Sequence, residues 1–101
     1  MKVRQFLHAN QFELYEEYTN TERHSLQSYD SLVCDIKHDI PSNRYIIRLG
    51  RDWDYSKTTS THVFAFLEEY SSVNFYGVSN KRQYVNKLIK DGVILYDENM
   101  Q

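Results

Sequence analysis

The chain has 101 residues, of which 41% are hydrophobic and 15% aromatic, and its 12 basic and 14 acidic residues give a net charge of −2. This length and the scarcity of glycine and proline predict one ordered domain over residues 1–101 and exclude a disordered chain. A net charge near zero also argues against the basic footprint of a nucleic-acid-binding domain and against a strongly acidic mimic of nucleic acid. No apolar stretch approaches the ~18 residues that span a bilayer, so we predict no membrane segment.

Two stretches near the start alternate apolar and polar residues. Residues 2–8 and residues 12–18 both show the period of two that is typical of half-buried strands. A helix through residues 12–18 is the alternative, because Glu and Leu favour helices. The polar stretch of residues 19–28 is predicted to be a connection.

The next two stretches predict an antiparallel hairpin. Residues 31–37 and 44–49 each place apolar side chains on one face, and residues 38–43 between them are rich in turn formers. Cys34, the single cysteine of the chain, lies in the first of these strands. A lone cysteine there is most often a small buried residue, and no intramolecular disulfide can form. A reducing, cytoplasmic location is therefore expected, and the N-terminal residues predict no signal peptide.

A polar, aromatic corner follows the hairpin and leads into a helix. Residues 50–61 hold the single Trp and the densest run of Ser and Thr, which cap helices by accepting hydrogen bonds from free backbone N–H groups. Val63, Phe66, Leu67 and Tyr70 then recur at helical spacing. We expect a helix that begins at one of several caps between residues 56 and 61 and ends near residues 71–72.

The last third of the chain predicts a second helix and a final strand. Residues 73–78 form either a brief strand or a loop anchored in the core. Ser79 or Asn80 caps the helix, since Asn80 followed three residues later by Gln83 resembles a capping box. Gly92 lies where helices commonly end, and residues 93–96 predict a buried strand.

Together these elements predict an α+β fold. We expect a mostly antiparallel sheet of about four to five strands with two helices packed on one face. The other face of the sheet would then be open, and an unusually apolar open face would imply a homodimer.

The corner is also the candidate site for a partner. Exposed Trp, Tyr and Arg residues dominate binding hot spots. The corner presents such residues together with two carboxylates: Arg51, Asp52, Trp53, Asp54 and Tyr55. The structural alternative is a tight joint in which Trp53 and Tyr55 lie against the core edge and the hydroxyl groups only cap the helix.

No pattern of catalytic or metal-binding residues is present in the sequence. The glycines are isolated, so no phosphate-cradling loop is expected. The histidines have no partner at helical spacing, and Asp52 and Asp54 without a third ligand are a poor cation site. Cys34 has strand-interior spacing, where thiols are inert. We therefore predict that the chain is not an enzyme and needs no metal and no cofactor.

The run from Tyr29 to Leu67 resembles a group of short, uncharacterised proteins of bacteriophages and other mobile elements. Those proteins carry a hydrophobic hairpin, an aromatic residue and then Tyr-Ser-x-Thr-Thr-x-x-His leading into a helix that ends in Phe-Leu. The matching residues here are Trp53, Tyr55, Ser56, Thr58, Thr59, His62, Phe66 and Leu67. The resemblance implies a biological context and no activity.

Two functional hypotheses follow. The first is a small protein-binding accessory factor of a phage or mobile element, in its sharper form an inhibitor that docks on a host defence protein, as anti-CRISPR proteins do. The alternative is a nucleic-acid-binding regulatory module that uses the basic second helix, where binding would fall steeply with salt. Its candidate residues are Lys81, Arg82, Lys87 and Lys90.

Overall fold

A computed structural model describes residues 2–5 and 11–100, with only the backbone for residues 2–5. The elements occur in this order: β1 (Lys2–Gln5), β2 (Gln11–Glu17), β3 (Thr21–Ser28), β4 (Ser31–Asp39), β5 (Arg44–Gly50), α1 (Lys57–Tyr70), α2 (Lys81–Lys90) and β6 (Ile94–Asp97). The α+β fold class is therefore confirmed. No helix in this described part of the chain is long and apolar enough to cross a membrane.

The sheet is an up-and-down meander that ends in one parallel strand. Strands β1 to β5 each pair antiparallel with the next strand in sequence, and β6 pairs parallel with β5. A parallel neighbour requires a crossover connection, which α1 and α2 supply. Buried residues of both helices join one core cluster with the inward residues of the sheet. The prediction of two helices on one face is confirmed.

Four predicted strands are present, three of them close to their expected bounds and one described in part. Strand β2 confirms the strand over residues 12–18 against its helical alternative. Strands β4 and β5 form the predicted hairpin, paired from Cys34–Leu49 to Asp39–Arg44. The first predicted strand is present as β1, and its remaining residues 6–8 lie outside the described residues.

Residues 21–28 form a strand and not the predicted connection. Strand β3 lies between β2 and β4, so the described residues form a sheet of six strands where four to five were expected. Its polar side chains take polar or aromatic partners: Arg23 pairs with Asp35 at 2.7 Å, and the His24 ring stacks on Tyr70 at 3.9 Å. Because these partners come from β4 and α1, the strand is stabilised without the apolar alternation by which a strand is recognised in sequence.

Both helices begin where their capping residues predict. Ser56 caps α1 by accepting a hydrogen bond from the Thr59 N–H at 3.1 Å. Asn80, rather than Ser79, caps α2 and accepts from the Gln83 N–H at 3.0 Å. Gly92 follows α2 with a φ of 79°, a conformation that only glycine adopts without strain.

The segments around α2 correct two expectations. Residues 73–78 contain no strand, and Val73 and Phe75 anchor the loop in the core, as the second of the two alternatives proposed. Strand β6 is not buried as predicted, since only Ile94 is enclosed while Leu95 and Tyr96 are about half exposed. The reason is position, because β6 is the last strand of the sheet and has β5 on one side only.

The core lies between the sheet and α1. Val63, Phe66 and Leu67 of this helix are fully buried, as are Leu26 and Ile36 of the sheet. Full burial of such a side chain contributes roughly 1.5–3 kcal/mol, so this layer is the main source of stability.

The opposite face of the sheet carries a buried charge. Asp35, which is only 4% exposed, accepts hydrogen bonds from Arg23 at 2.7 Å, from Arg48 at 2.7 Å and from Ser25 at 2.9 Å. Burial alone raises the pKa of Asp35, but these hydrogen bonds outweigh it and hold the pKa of the carboxyl below its ordinary value of 3.8. The centre of this face is ionic, so the apolar surface on which the homodimer hypothesis depended is not found there.

Candidate binding site at the strand-to-helix corner

The corner joins β5 to α1 through two successive turns. The Trp53 N–H donates to the Gly50 carbonyl and the Tyr55 N–H donates to the Asp52 carbonyl, each at 3.1 Å. Gly50 is required at the start of the corner, because a Cβ there would lie 2.6 Å from the Leu32 carbonyl oxygen. The corner is therefore a fixed structure and not a loose loop.

Trp53 is the buried anchor of the corner. Its side chain is 3% exposed, and its ring meets Phe64 of α1 edge-on at a centroid distance of 6.3 Å. The expectation of an exposed Trp53 in a binding surface is therefore wrong. A Trp ring gains more from enclosure against other aromatic rings than from exposure, and here two short turns bring it over the helix.

The two aspartates of the corner point to different partners. Asp54 accepts a hydrogen bond at 3.0 Å from Arg82, which also donates to the Asp54 carbonyl and so ties α2 to the corner. Asp52 accepts from Ser31 at 3.2 Å and lies 3.5 Å from Arg51. The two carboxylates therefore do not form a shared cation site.

Tyr55 and Arg51 remain accessible. Tyr55 is 79% exposed, and the Arg51 side chain is 70% exposed. Both residue types are frequent in binding hot spots. Of the predicted patch, these two residues are largely exposed, and Asp52 and Asp54 each keep about a third of the side chain exposed.

A cavity of about 500 Å³ opens beside Tyr55, and we call it the corner cavity. It lies between the corner and the tight turn that joins β3 to β4. Tyr29, in that turn, is 51% exposed and also lines the cavity. The full lining is Ser28, Tyr29, Asp30, Ser31, Val33, Asp52, Tyr55, Ser56 and Thr59.

Tyr29 has a φ of 55°, which is uncommon for a bulky residue. Backbone strain of this kind is concentrated at functional sites, where the surrounding structure holds it. In the hairpin turn of residues 28–31, it places a second tyrosine at the cavity that Tyr55 also lines. The sequence does not indicate this half of the site, because residues 19–28 lack the apolar alternation of a strand and predict a connection. In the sequence, the available indication of this turn was the pair Tyr29 and Asp30 between two serines.

The floor of the corner cavity is a chain of hydrogen bonds. Gln11 donates to Ser28 Oγ at 2.7 Å, Ser28 Oγ lies 3.0 Å from Thr59 Oγ1, and Ser56 donates to Thr59 Oγ1 at 3.2 Å. Ser28, Thr59 and Gln11 are all buried. The floor thus connects β2, β3 and the first turn of α1, which makes the cavity rigid.

A smaller hollow of about 250 Å³ adjoins the corner cavity and shares Asp30, Ser31 and Asp52 with it. Arg51, Glu98 and Met100 complete its lining. The accessible surface of the corner therefore combines one guanidinium group with several carboxylates, so it can bind polar groups of either sign at its edge.

The basic residues of α2 do not form one patch. Arg82 is bound to Asp54, and the Lys81 ammonium lies 5.7 Å from the centre of the Phe75 ring. Lys87 and Lys90 line a separate hollow of about 650 Å³ together with Tyr84 and the segment 77–80. Two of the four candidate nucleic-acid contacts thus have intramolecular roles.

A polar cluster under the end of α1 was not predicted. His24 Nδ1 lies 3.1 Å from Glu13 Oε1, and the Tyr70 hydroxyl donates to Glu13 Oε2 at 2.7 Å. Glu13 is buried, so these contacts satisfy a carboxylate inside the fold. Strand pairing brings these residues together, and no spacing in the sequence indicates it.

Two further features of residues 11–100 concern catalysis and metal binding. Cys34 is fully buried, and burial, with the nearby Asp35 charge, raises the pKa of its thiol well above the ordinary value. In that part of the chain no three His, Cys, Asp or Glu side chains are grouped so as to hold a metal ion. His62 is buried in the first turns of α1.

Comparison with known proteins gives one match. Residues 1–87 match the family described as "Family of unknown function (DUF8033)". No curated protein and no solved structure shows a significant similarity to the chain. The matched range includes the corner, the β3–β4 turn and all of α1.

Proposed function

The chain belongs to this family of unknown function, and we propose that it is a small protein-binding factor that contacts its partner through the corner. The observation that carries the proposal is the pair of exposed tyrosines, Tyr29 and Tyr55, that both line the corner cavity. Tyrosine gives a large contact area at a low cost in side-chain entropy, and a cavity lined by two tyrosines can enclose a protruding group.

Rigidity supports this proposal. The corner is anchored by buried Trp53, capped by Ser56 and tied to α2 through the ion pair of Arg82 with Asp54. A surface that is ordered before binding loses less conformational entropy when the partner docks. The exposed rings are therefore held by a part of the structure that is already ordered before the partner binds.

In this proposal the chain acts by binding and not by catalysis. Its thiol is enclosed, and a thiol with a raised pKa is a poor nucleophile. The resemblance of the run from Tyr29 to Leu67 to phage and mobile-element proteins makes a cytoplasmic host protein, in particular a defence protein, the first partner to test. An inhibitor of such a protein would need only a stable surface.

Affinity capture from lysate of the native host, followed by mass spectrometry, tests the proposal. Tyr55→Ala should lose the proteins that the wild-type chain recovers. The matched control is Tyr76→Ala, which removes a tyrosine that is 94% exposed and lies outside the corner. Equal recovery by wild type and Tyr55→Ala would contradict binding at the corner.

The hollow beside α2 supports a second candidate function, the binding of nucleic acid. Lys87, Lys90 and Tyr84 line it together, and an aromatic ring next to ammonium groups suits a stacked base with its phosphate. A mobility shift at low salt should be abolished by Lys87→Glu with Lys90→Glu and should weaken steeply with added salt. Absence of any shift at low salt would remove this candidate.

A further inference from the structure

The residues around the corner cavity carry more negative than positive charge. Asp30 and Asp52 line the cavity itself, and the smaller hollow beside it is lined by both of them together with Glu98 and Arg51. The Arg51 guanidinium lies 3.5 Å from the Asp52 carboxylate, so the positive charge of this lining already has a partner. Within residues 11–100, the exposed carboxylates of Asp30 and Glu98 form no salt bridge and accept no hydrogen bond. Two carboxylates of this surface are therefore left without a counter-charge.

The two tyrosines that line the corner cavity favour the same class of ligand as the carboxylates. Tyr29 is 51% exposed and Tyr55 is 79% exposed. The face of an aromatic ring carries partial negative charge, so an exposed tyrosine attracts the ammonium or guanidinium group of a ligand. Aromatic rings and carboxylates thus select a cation independently of each other.

The first turn of α1 acts in the opposite direction but more weakly. Ser56 and Thr59 line the cavity, and the N-terminus of a helix favours anions. This N-terminus corresponds to roughly half an elementary charge, whereas each aspartate of the wall carries a full one. Its Thr59 N–H also donates already to Ser56 Oγ. An anion in the cavity would be repelled by Asp30 and Asp52, and a neutral group would leave their charge uncompensated.

We propose that the corner cavity receives a positively charged side chain of the partner protein, Lys or Arg, an inference that rests on the proposed protein-binding function. The charged end donates hydrogen bonds to Asp30 and Asp52, and such charge-assisted bonds are stronger than neutral ones. The apolar stem of the side chain packs against Tyr29 and Tyr55. The cavity volume of about 500 Å³ admits a side chain of this length.

Selection of phage-displayed random dodecapeptides on the immobilised 101-residue chain tests this inference. Peptides are kept if Tyr55→Ala abolishes their binding and Tyr76→Ala does not. We expect the retained peptides to share a Lys or an Arg, and the shared residue identifies which of the two cations the cavity takes.

A synthetic copy of a retained peptide then tests the charge itself. Replacement of the shared Arg by citrulline, or of the shared Lys by acetyl-lysine, removes the charge and nearly preserves the length of the side chain. Binding should weaken by about tenfold, because the charge-assisted hydrogen bonds and the attraction to the tyrosine rings are both lost.

A variant of the chain shows whether the cation meets the wall of the cavity. Asp30→Asn keeps the size of an exposed side chain and removes its charge. Measured on this variant, the same neutralisation of the peptide should weaken binding by only about threefold or less, because one partner of the charge is already missing. Asp91→Asn, at an exposed position after α2, is the matched control and should leave the tenfold loss unchanged.

Four outcomes would overturn the inference. Retained peptides without a shared Lys or Arg, or equal binding of the charged and the neutralised peptide, would show that the cavity does not select a cation, although protein binding at the corner would still stand. An equal loss on neutralisation with wild type and Asp30→Asn would place the cation away from this wall. Failure to select any Tyr55-dependent peptide would reject the cation site, whereas the capture experiment would decide the proposed function separately.

Discussion

Trp53 and Tyr55 lie two residues apart in the same corner and have opposite roles. The Trp53 ring is enclosed and holds the corner on α1, whereas the Tyr55 ring lies almost entirely in solvent. The sequence placed both residues in one candidate patch, because composition alone does not distinguish an anchor from a contact residue. Whether each side chain is buried or exposed depends on the direction in which the two consecutive turns of the corner orient it.

This difference predicts that replacing Trp53 and replacing Tyr55 by alanine will affect stability very unequally. Trp53→Ala should lower the free energy of unfolding by about 3–5 kcal/mol, the range for removing a large buried ring. Tyr55→Ala should change it by less than about 0.5 kcal/mol, as expected for an exposed side chain. Urea unfolding followed by far-ultraviolet circular dichroism measures both. Similar losses in the two variants would show that the corner is not built as described.

Asp35 predicts a dependence of stability on pH. Because its pKa is lower in the folded state than its ordinary value of 3.8, its contribution is present above that value and is lost as the pH falls through the folded pKa. When the pH falls, the Asp35→Asn variant should therefore lose less free energy of unfolding than the wild type.

At neutral pH the same variant should be less stable by about 2 kcal/mol. This is below the ~3–5 kcal/mol of a fully buried pair, because Arg23 and Arg48 each keep roughly a third of the side chain exposed to water. Urea unfolding at pH 7 and at pH 3 measures both effects. Asp91→Asn is the control. If wild type and Asp35→Asn lose the same free energy of unfolding between pH 7 and pH 3, the assignment to Asp35 is contradicted.

At the scale of elements, the strands and helices that could be predicted are those whose signals lie within the element's own sequence. The β4–β5 hairpin has apolar alternation and a polar turn, and both helices have capping residues at their starts, so each was found from sequence. Strand β3 was missed because its stabilising partners, among them Asp35 and Tyr70, come from other elements. Strand β6 was expected to be buried because an apolar run does not indicate whether a strand is central or at an edge.

The start of α2 tests this view of local signals. Asn80→Ala removes the side-chain acceptor of the Gln83 N–H and should cost about 1 kcal/mol of stability. Ser79→Ala, one residue earlier, should be nearly neutral, although the sequence permits either residue as the cap. Thermal unfolding of the two variants measures the difference. A larger loss for Ser79→Ala would place the helix start one residue earlier.

At the scale of the whole molecule, the candidate site is assembled from distant parts of the chain. The turn of residues 28–31 and the segment of residues 52–59 meet at one end of the sheet, and Gln11 supports them from β2. The sequence could reveal the second segment by its density of aromatic and hydroxyl residues. It could not reveal the first, since that turn joins the corner only through the pairing of β3 with β4 and the packing of α1.

The partners of the charged residues are likewise set by the fold, because they lie far apart in the sequence. Residues that look like a basic helix face are in part bound to the corner, as Arg82 is to Asp54. The open face of the sheet carries Arg23 and Arg48 around one buried carboxylate. At the corner, exposed tyrosines, a cavity and polar side chains occur together.

Site-specific photo-crosslinking in the native host tests this central claim most directly. A photoreactive phenylalanine derivative is placed at position 55 in one sample and at position 76 in a second, and cross-linked products are identified by mass spectrometry. We predict one discrete product between position 55 and a host protein, and no such product from position 76. Identical products from both positions, or none from position 55, would contradict binding at the corner.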